Sequence, residues 1–281
     1  MSRPEDLDER LSAILESPTY RLAHEDLELL SEEELRPLRL QLELLKPERI
    51  LHGQGIQSTV VVFGSARVSD ADTAAARLGA LERQALAAPG NAGLKQELAR
   101  ARRRIEQAHH YEQARRFASL ISTRFQQQDR ADFVVVTGGG PGIMEAANRG
   151  ASEAGALTAG FNITLPHEQE PNAYSTPGLT FRFHYFAMRK MHLAMRAKAL
   201  VVFPGGFGTL DETFEILTLQ QTGKMERCPV VLFDKAFWSK LIDFEHLAAE
   251  GFIKPGDLEM FRFADTSEEA WQHLLELGLQ V

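Results

Sequence analysis

The chain has one cysteine, Cys228, in 281 residues. A lone thiol forms no internal disulfide and no multi-thiolate metal site. Long hydrophobic runs are also missing. The apolar stretches near Val60, Val134 and Val201 are far shorter than the roughly 20 residues that span a bilayer. The opening MSRPEDLDER lacks an apolar segment of the secretory type, so a soluble cytoplasmic protein with no membrane partner is expected. Net positive charge is absent: the formal charge is −8, which argues against a general nucleic-acid binder. Thirteen of the 39 acidic residues fall in the first 50, read as a solvated helical face. No G-x-x-x-x-G-K-[ST] run occurs, which excludes the usual P-loop.

What is present is an alternation of apolar strands and helices. Residues 5–17 and 25–45 read as helices punctuated by Pro18, Pro37 and Pro47, giving an N-terminal helical arm over 1–50. From 51 to 281 the pattern predicts a doubly wound α/β unit with a parallel sheet. Its strands are expected in STVVVFGSAR (58–67), DFVVVTG (132–138), ALTAGFNI (156–163), GLTFRF (178–183), ALVVF (199–203), PVVLF (229–233) and FRFAD (261–265). A helical insertion at about 70–110 interrupts it, with helices over 71–87 and 92–128. Leu94, Leu98, Ala101, Ile105 and Ala108 recur at spacings suited to helix-on-helix packing. Single helices are expected over 185–197, 210–222 and 236–250.

Three strands end in small-residue turns: FGSAR (63–67), TGGGPGIME (137–145) and FPGGFGTLDE (203–212). Such turns free backbone amides, and a helix beginning there adds a positive dipole suited to phosphate. One turn alone is explained equally by tight strand-to-helix packing; two elaborate turns plus Gly64-Ser65 favour a nucleotide or sugar phosphate. TGGGPGIME lacks the G-x-G-x-x-G spacing of a dinucleotide fingerprint. Thr209 to Glu212 has the form T-x-x-E, so two readings of Glu212 stand open. It either folds back as a capping box or faces whatever is attached to the phosphate. Asp211 is read as a partner of the helix dipole. Arg189 and Lys190 sit in the largely apolar FAMRKMHLAMRAKA, where a cation more often has a specific partner.

GGGPGIM (138–144), Arg189-Lys190 and PGGFGTLDE (204–212) together resemble the LONELY GUY (LOG) phosphoribohydrolases, proteins often mislabelled lysine decarboxylases. FGSAR and YEQARRFA (111–118) resemble further parts of that family. The likeness covers roughly residues 58–260, with an insertion of about 40 residues before Tyr111. The arm, the insertion and NITLPHEQEPN (162–172) are similar to its longer, multimeric branch. The resemblance implies hydrolysis of the N-glycosidic bond of AMP or a cytokinin riboside 5′-monophosphate. It places the catalytic pair on Arg189 and Glu212. It places nucleotide binding on Gly64, Ser65, Gly138, Gly139, Gly140, Gly142, Met144, Lys190, Gly205, Gly206, Gly208 and Thr209. It also implies a homo-oligomer, a dimer or larger, with a small-molecule nucleotide as partner.

A carboxylate beside the ribose suits this chemistry, because breaking the bond builds positive charge on the sugar ring. A pyridoxal-dependent decarboxylase is disfavoured: Lys190, Lys198 and Lys224 lack the context of a Schiff-base lysine. The rival from another class is a non-catalytic carrier of nucleotides or the molybdenum cofactor. No cofactor and no metal is expected. His109-His110 read as exposed insertion residues, and His167, His184 and His192 show no ligand spacing. Cys228 reads as a buried small residue, and His167, Glu168 and Asn172 as lining of a base pocket.

Overall fold

Seven strands order the described residues: β1 (Thr59–Phe63), β2 (Val134–Thr137), β3 (Thr158–Ile163), β4 (Thr180–Phe183), β5 (Ala197–Val202), β6 (Val230–Phe233) and β7 (Phe261–Ala264). All pair in parallel, in the order β4-β3-β2-β1-β5-β6-β7. The computed structural model describes residues 4–88, 90–126, 131–166 and 170–279. His167 and Glu168 lie outside the described residues.

The strands are valine-rich and buried on both faces, as a helix-covered parallel sheet requires. Strand periodicity sends Val61 and Phe63 to a first core and Val60 and Val62 to a second. Helices α1 (Pro4–Glu16), α2 (Leu27–Ser31) and α3 (Arg36–Gly53) precede β1, and α4 (Ala71–Ala87) and α5 (Ala92–Phe125) follow it. The first core is closed by Leu193, Ile216, Leu217, Trp238 and Phe244. The second is closed by Tyr111, Ala114 and Phe117 of α5, together with Ala146, Ala147, Ala270 and Leu274. The expected doubly wound α/β class is the observed one.

The chain divides into two compact units, residues 1–46 and 47–281. Within the first, the single helix expected over 25–45 is broken. Asp26 caps α2 by accepting from the Glu28 and Leu29 amides, and a new helix starts at Arg36. Pro37 sits in that first turn, where its missing N–H costs nothing. Pro47 stops nothing: α3 runs through it to Gly53. Residues 47–53 contribute Leu51 to the first core.

The insertion forms α4 and α5, which pack on one another. Along α5, Ala101 and Ala108 are buried, whereas Ile105 is largely exposed. The helix expected over 236–250 is two, α9 (Lys235–Leu241) and α10 (Phe244–Ala249). Ile242 is extended between them, and the Asp243 side chain caps the second. Helices α6 (Ile143–Glu153), α7 (Phe186–Met195), α8 (Phe207–Gln221) and α11 (Ser267–Glu276) complete the covering layers. Among the described residues no helix is long and apolar enough to cross a membrane.

The chain steps outward from β1 to β4, then crosses back to lay β5 on the other side of β1. The carboxyl ends of β1 and β5 therefore form the switch point at which open α/β sheets bind ligands.

Candidate active site

At that switch point the three glycine turns are stitched together through backbone. Ser65 N donates to Pro204 O at 3.1 Å, and Ile143 N donates to Ser65 O at 3.1 Å. The β1 turn is thus a staple between the other two. Gly142, at φ 76°, makes this approach possible: a Cβ there would stand 2.4 Å from Ser65 O. Gly64 is equally constrained, since a Cβ would sit 2.6 Å from the Ile143 side chain.

The GGG turn rests on a polar network. Thr137 Oγ1 donates to Asn148 Oδ1 at 2.6 Å and accepts from Gly139 N at 2.9 Å. Asn172 N donates to Gly139 O, and its Nδ2 donates to Gly140 O and Asn148 Oδ1. Asn172 is therefore a strut that fixes the turn's carbonyls. With those carbonyls held, the turn keeps one rigid shape.

Helix α8 begins at Phe207, with Gly206 as its N-cap and no side chain capping it. Its first amides have no intrahelical acceptor. Thr209 is the third residue of the helix, not its cap, so the capping-box reading of Thr209 and Glu212 fails. Thr209 is buried, and its side chain occupies the space a Cβ on Gly205 would need.

Glu212 turns to Arg189 instead. Arg189 Nη1 lies 2.9 Å from Glu212 Oε1, with both side chains nearly sealed from solvent. Arg189 Nε donates to Phe161 O at the end of β3, 2.7 Å away. Its Nη2 comes so near Gly138 that a Cβ there would be 2.5 Å off, and Met144 Sδ would be 2.8 Å from the same point. One guanidinium thus touches the β2 turn, the β3 end and the α8 carboxylate. Burial pushes the Glu212 carboxyl above its ordinary range, with Arg189 pulling the other way. The site can hold an anion on amides beside an arginine and keep a dry carboxylate one step from it.

The chain is similar to known proteins. A family model described as "possible lysine decarboxylase" matches residues 144–274. A cytokinin riboside 5′-monophosphate phosphoribohydrolase of Arabidopsis thaliana is 27% identical over 146 residues, 51% of this chain and 66% of the relative. One from Rhodococcoides fascians is 38% identical over 73 residues, 26% of this chain and 37% of the relative. The chain is similar to phosphoribohydrolases of the LONELY GUY type. It spans less than two thirds of the length of these relatives. A solved molybdenum cofactor binding protein of Rippkaea orientalis is 17% identical, with a TM-score of 0.48 over 79% of this chain and 97% of that one.

The residues singled out by sequence divide into those that the structure brings together and one that it commits elsewhere. Gly64, Ser65, Gly138, Gly142, Met144, Arg189, Gly205, Thr209 and Glu212 are brought together by the contacts above. Gly139 and Gly140 lie in the same turn, buried, and Gly206 and Gly208 at the exposed start of α8. Lys190 is committed elsewhere: its Nζ is 3.0 Å from Asp211 and 3.1 Å from Glu215. Burial alone would lower its pKa, but the two carboxylates outweigh it and raise it. Asp211 is accordingly a partner of Lys190, not of the helix dipole. Lys190 lines a groove of about 1150 Å³ with Met191, Met195, Leu219 and Met225.

Two site features had little sequence signal. Phe161 acts through its carbonyl, which no side chain announces. Asn162, a polar residue at the end of an apolar strand, fills the space beside Gly139, with its Oδ1 buried and without a hydrogen-bond partner. Cys228 is buried, and burial pushes its thiol up to about 12.

Proposed function

We propose that this protein hydrolyses the N-glycosidic bond of a purine nucleoside 5′-monophosphate, AMP or a cytokinin riboside 5′-monophosphate. The products are free base and ribose 5-phosphate. The observation that carries the reading is Arg189, set between the Gly138 turn, the β3 end and Glu212. The named activity of the LONELY GUY relatives supports it.

In this reading the phosphate lies on the amides of the β2 turn and the α8 start, positions joined through Ser65. Arg189 binds the phosphate-ribose end and fixes its register. Glu212 then faces the ribose. As the C1′–N bond breaks, electrons leave with the base, and positive charge grows on the sugar ring. A buried carboxylate stabilises that charge and orients the attacking water. Water adds hydroxyl to C1′, and its remaining proton ends on the base. This explains why an anion cradle holds carboxylates: Glu212 faces a group that becomes cationic.

Residues 1–50 serve as an accessory arm in this reading, and the protein self-associates as a dimer or larger. The exposed Phe186, Met191, Met195 and Phe214 on α7 and α8 support association.

The test incubates purified protein with AMP, other nucleotides and isopentenyladenosine monophosphate and measures free base. Release from an adenine ribotide is expected, with loss of most of it in Glu212→Gln and Arg189→Ala while the fold is retained. Tight nucleotide binding with no release would overturn the hydrolase and leave a carrier.

A further inference from the structure

Beside the second core, two histidines and an aspartate converge. His109 and His110 lie on α5, and Asp234 follows the carboxyl end of β6. One ring nitrogen of each histidine and one carboxylate oxygen of Asp234 all fall within 4.8 Å of one another. The two imidazole centroids are 3.8 Å apart. His110 is not an exposed insertion residue: only 4% of it reaches solvent, and its Nε2 is 3.0 Å from Asp234 Oδ2.

Each group is oriented before any ligand arrives. Asp234 holds a left-handed backbone conformation at φ 71°, uncommon for a non-glycine residue. Its Oδ1 accepts from Phe237 N at 2.9 Å, which aims Oδ2 at His110. His109 Nδ1 lies 2.7 Å from Glu106 O, so that nitrogen carries the proton and Nε2 keeps its lone pair outward. A backbone carbonyl fixing one nitrogen while the other ligates is the usual support of a metal-binding histidine. His110 Nδ1 is buried without a hydrogen-bond partner.

We propose that His109, His110 and Asp234 form a site for a divalent transition-metal ion, with zinc as the natural candidate. Two nitrogens and one carboxylate oxygen match zinc's preferred donors and leave a fourth position for water. Tetrahedral bonds of about 2.0–2.2 Å set neighbouring donors roughly 3.3–3.5 Å apart. As metal takes the place of the proton on His110 Nε2, that proton moves to Nδ1 of the same ring, and the 3.0 Å contact with Asp234 opens by only a few tenths of an ångström. Bound metal would tie the middle of α5, where the insertion ends, to the rim of the sheet at β6. None of the three residues belongs to the proposed catalytic set, so the inference stands apart from the hydrolase reading.

The full-length chain, stripped with a chelator, is titrated with Co²⁺ while visible absorption is followed, and Zn²⁺ is then added as competitor. His109 is exposed, so His109→Ala leaves the core untouched. Asp234→Asn keeps a capping side chain that tolerates the left-handed conformation. Wild type should saturate at one Co²⁺ per chain with the intense bands of a four-coordinate ion, bleached by Zn²⁺. Each substitution should weaken binding at least about tenfold and cancel the rise in Tm that Zn²⁺ gives wild type. Absence of saturable bands, or affinity unchanged in both variants, would overturn the site and leave the His110–Asp234 contact as a plain hydrogen bond.

Discussion

Arg189 and Glu212 meet at 2.9 Å in a place that leaves 9% and 13% of their side chains exposed. A buried pair of this kind is costly to break from one side only, because the remaining charge is left dry. Arg189→Ala should therefore lower Tm, and Glu212→Gln introduced on top should restore part of the loss. A double-mutant cycle in thermal melts checks it; coupling of about 0.5–3 kcal/mol is expected for residues in contact. Strict additivity would mean that the pair does not form in solution.

For activity, Glu212→Gln should cost about 10²- to 10⁴-fold in kcat/KM for base release, the range of a positioned carboxylate. Gln preserves size and the ability to accept from Arg189, so circular dichroism should be unchanged. Near-wild-type turnover in this variant would remove Glu212 from the chemistry.

The pH dependence follows from the direction in which burial moves Glu212. Its carboxyl is held above the ordinary value of 4.5, so the folded protein keeps that proton at pH values where the unfolded chain has lost it. The charged form is the one that opposes developing ribose charge. The acid limb of kcat/KM should accordingly lie above pH 4.5, with activity rising through it. Its stability contribution has the opposite sign, present below 4.5 and lost as pH rises through the folded pKa. Rates measured from pH 4 to 8 in wild type and Glu212→Gln check this: the limb should vanish in the variant.

Gly138→Ala tests the crowding between turn and arginine. The added methyl would fall 2.5 Å from Arg189 Nη2 and 2.8 Å from Met144 Sδ. Both neighbours are ends of flexible side chains, so the fold gives way cheaply while the guanidinium moves. Activity should fall by about 10²-fold or more, as misplacement near 1 Å can cost. Tm should change little. A melt that collapses along with activity would show that the contact is structural.

The strands and turns were legible because valine runs and glycine clusters are local signals. TVVVF and VVVT can hardly be anything but buried strands, and PGGFGT must turn. The T-x-x-E pattern, read locally, left two roles open for Glu212. The decision came from Arg189, 23 positions upstream, and from a helix that starts at Phe207 before Thr209 could cap it. His110 reads as exposed in a polar insertion, yet it is buried. Its partner is Asp234, 124 positions away. Pro47 failed as punctuation because tertiary burial of Leu51 favours continuing the helix. Pairings across such separations leave no periodic trace.

The last prediction concerns Glu48, which ties the end of α3 to α7. Arg196 donates from Nη1 and Nη2 to its two carboxylate oxygens, the second bond at 2.8 Å, and His192 Nδ1 lies 3.2 Å from Oε1. The Arg196 hydrogen bonds pull the Glu48 carboxyl below its ordinary value of 4.5, against an opposing push from burial. A depressed pKa means stability that is present above 4.5 and is lost as pH falls through the folded value. Glu48→Gln should therefore cost about 1.5–3 kcal/mol at pH 7, the range for hydrogen bonds to a charged group. That corresponds to several degrees in Tm for a unit of this size. The gap between variant and wild type should shrink as melts are repeated from pH 7 down to pH 3. A gap that stays constant would show that Glu48 acts through packing rather than charge. The catalytic pair is untouched, so base release at permissive temperature should remain near wild type.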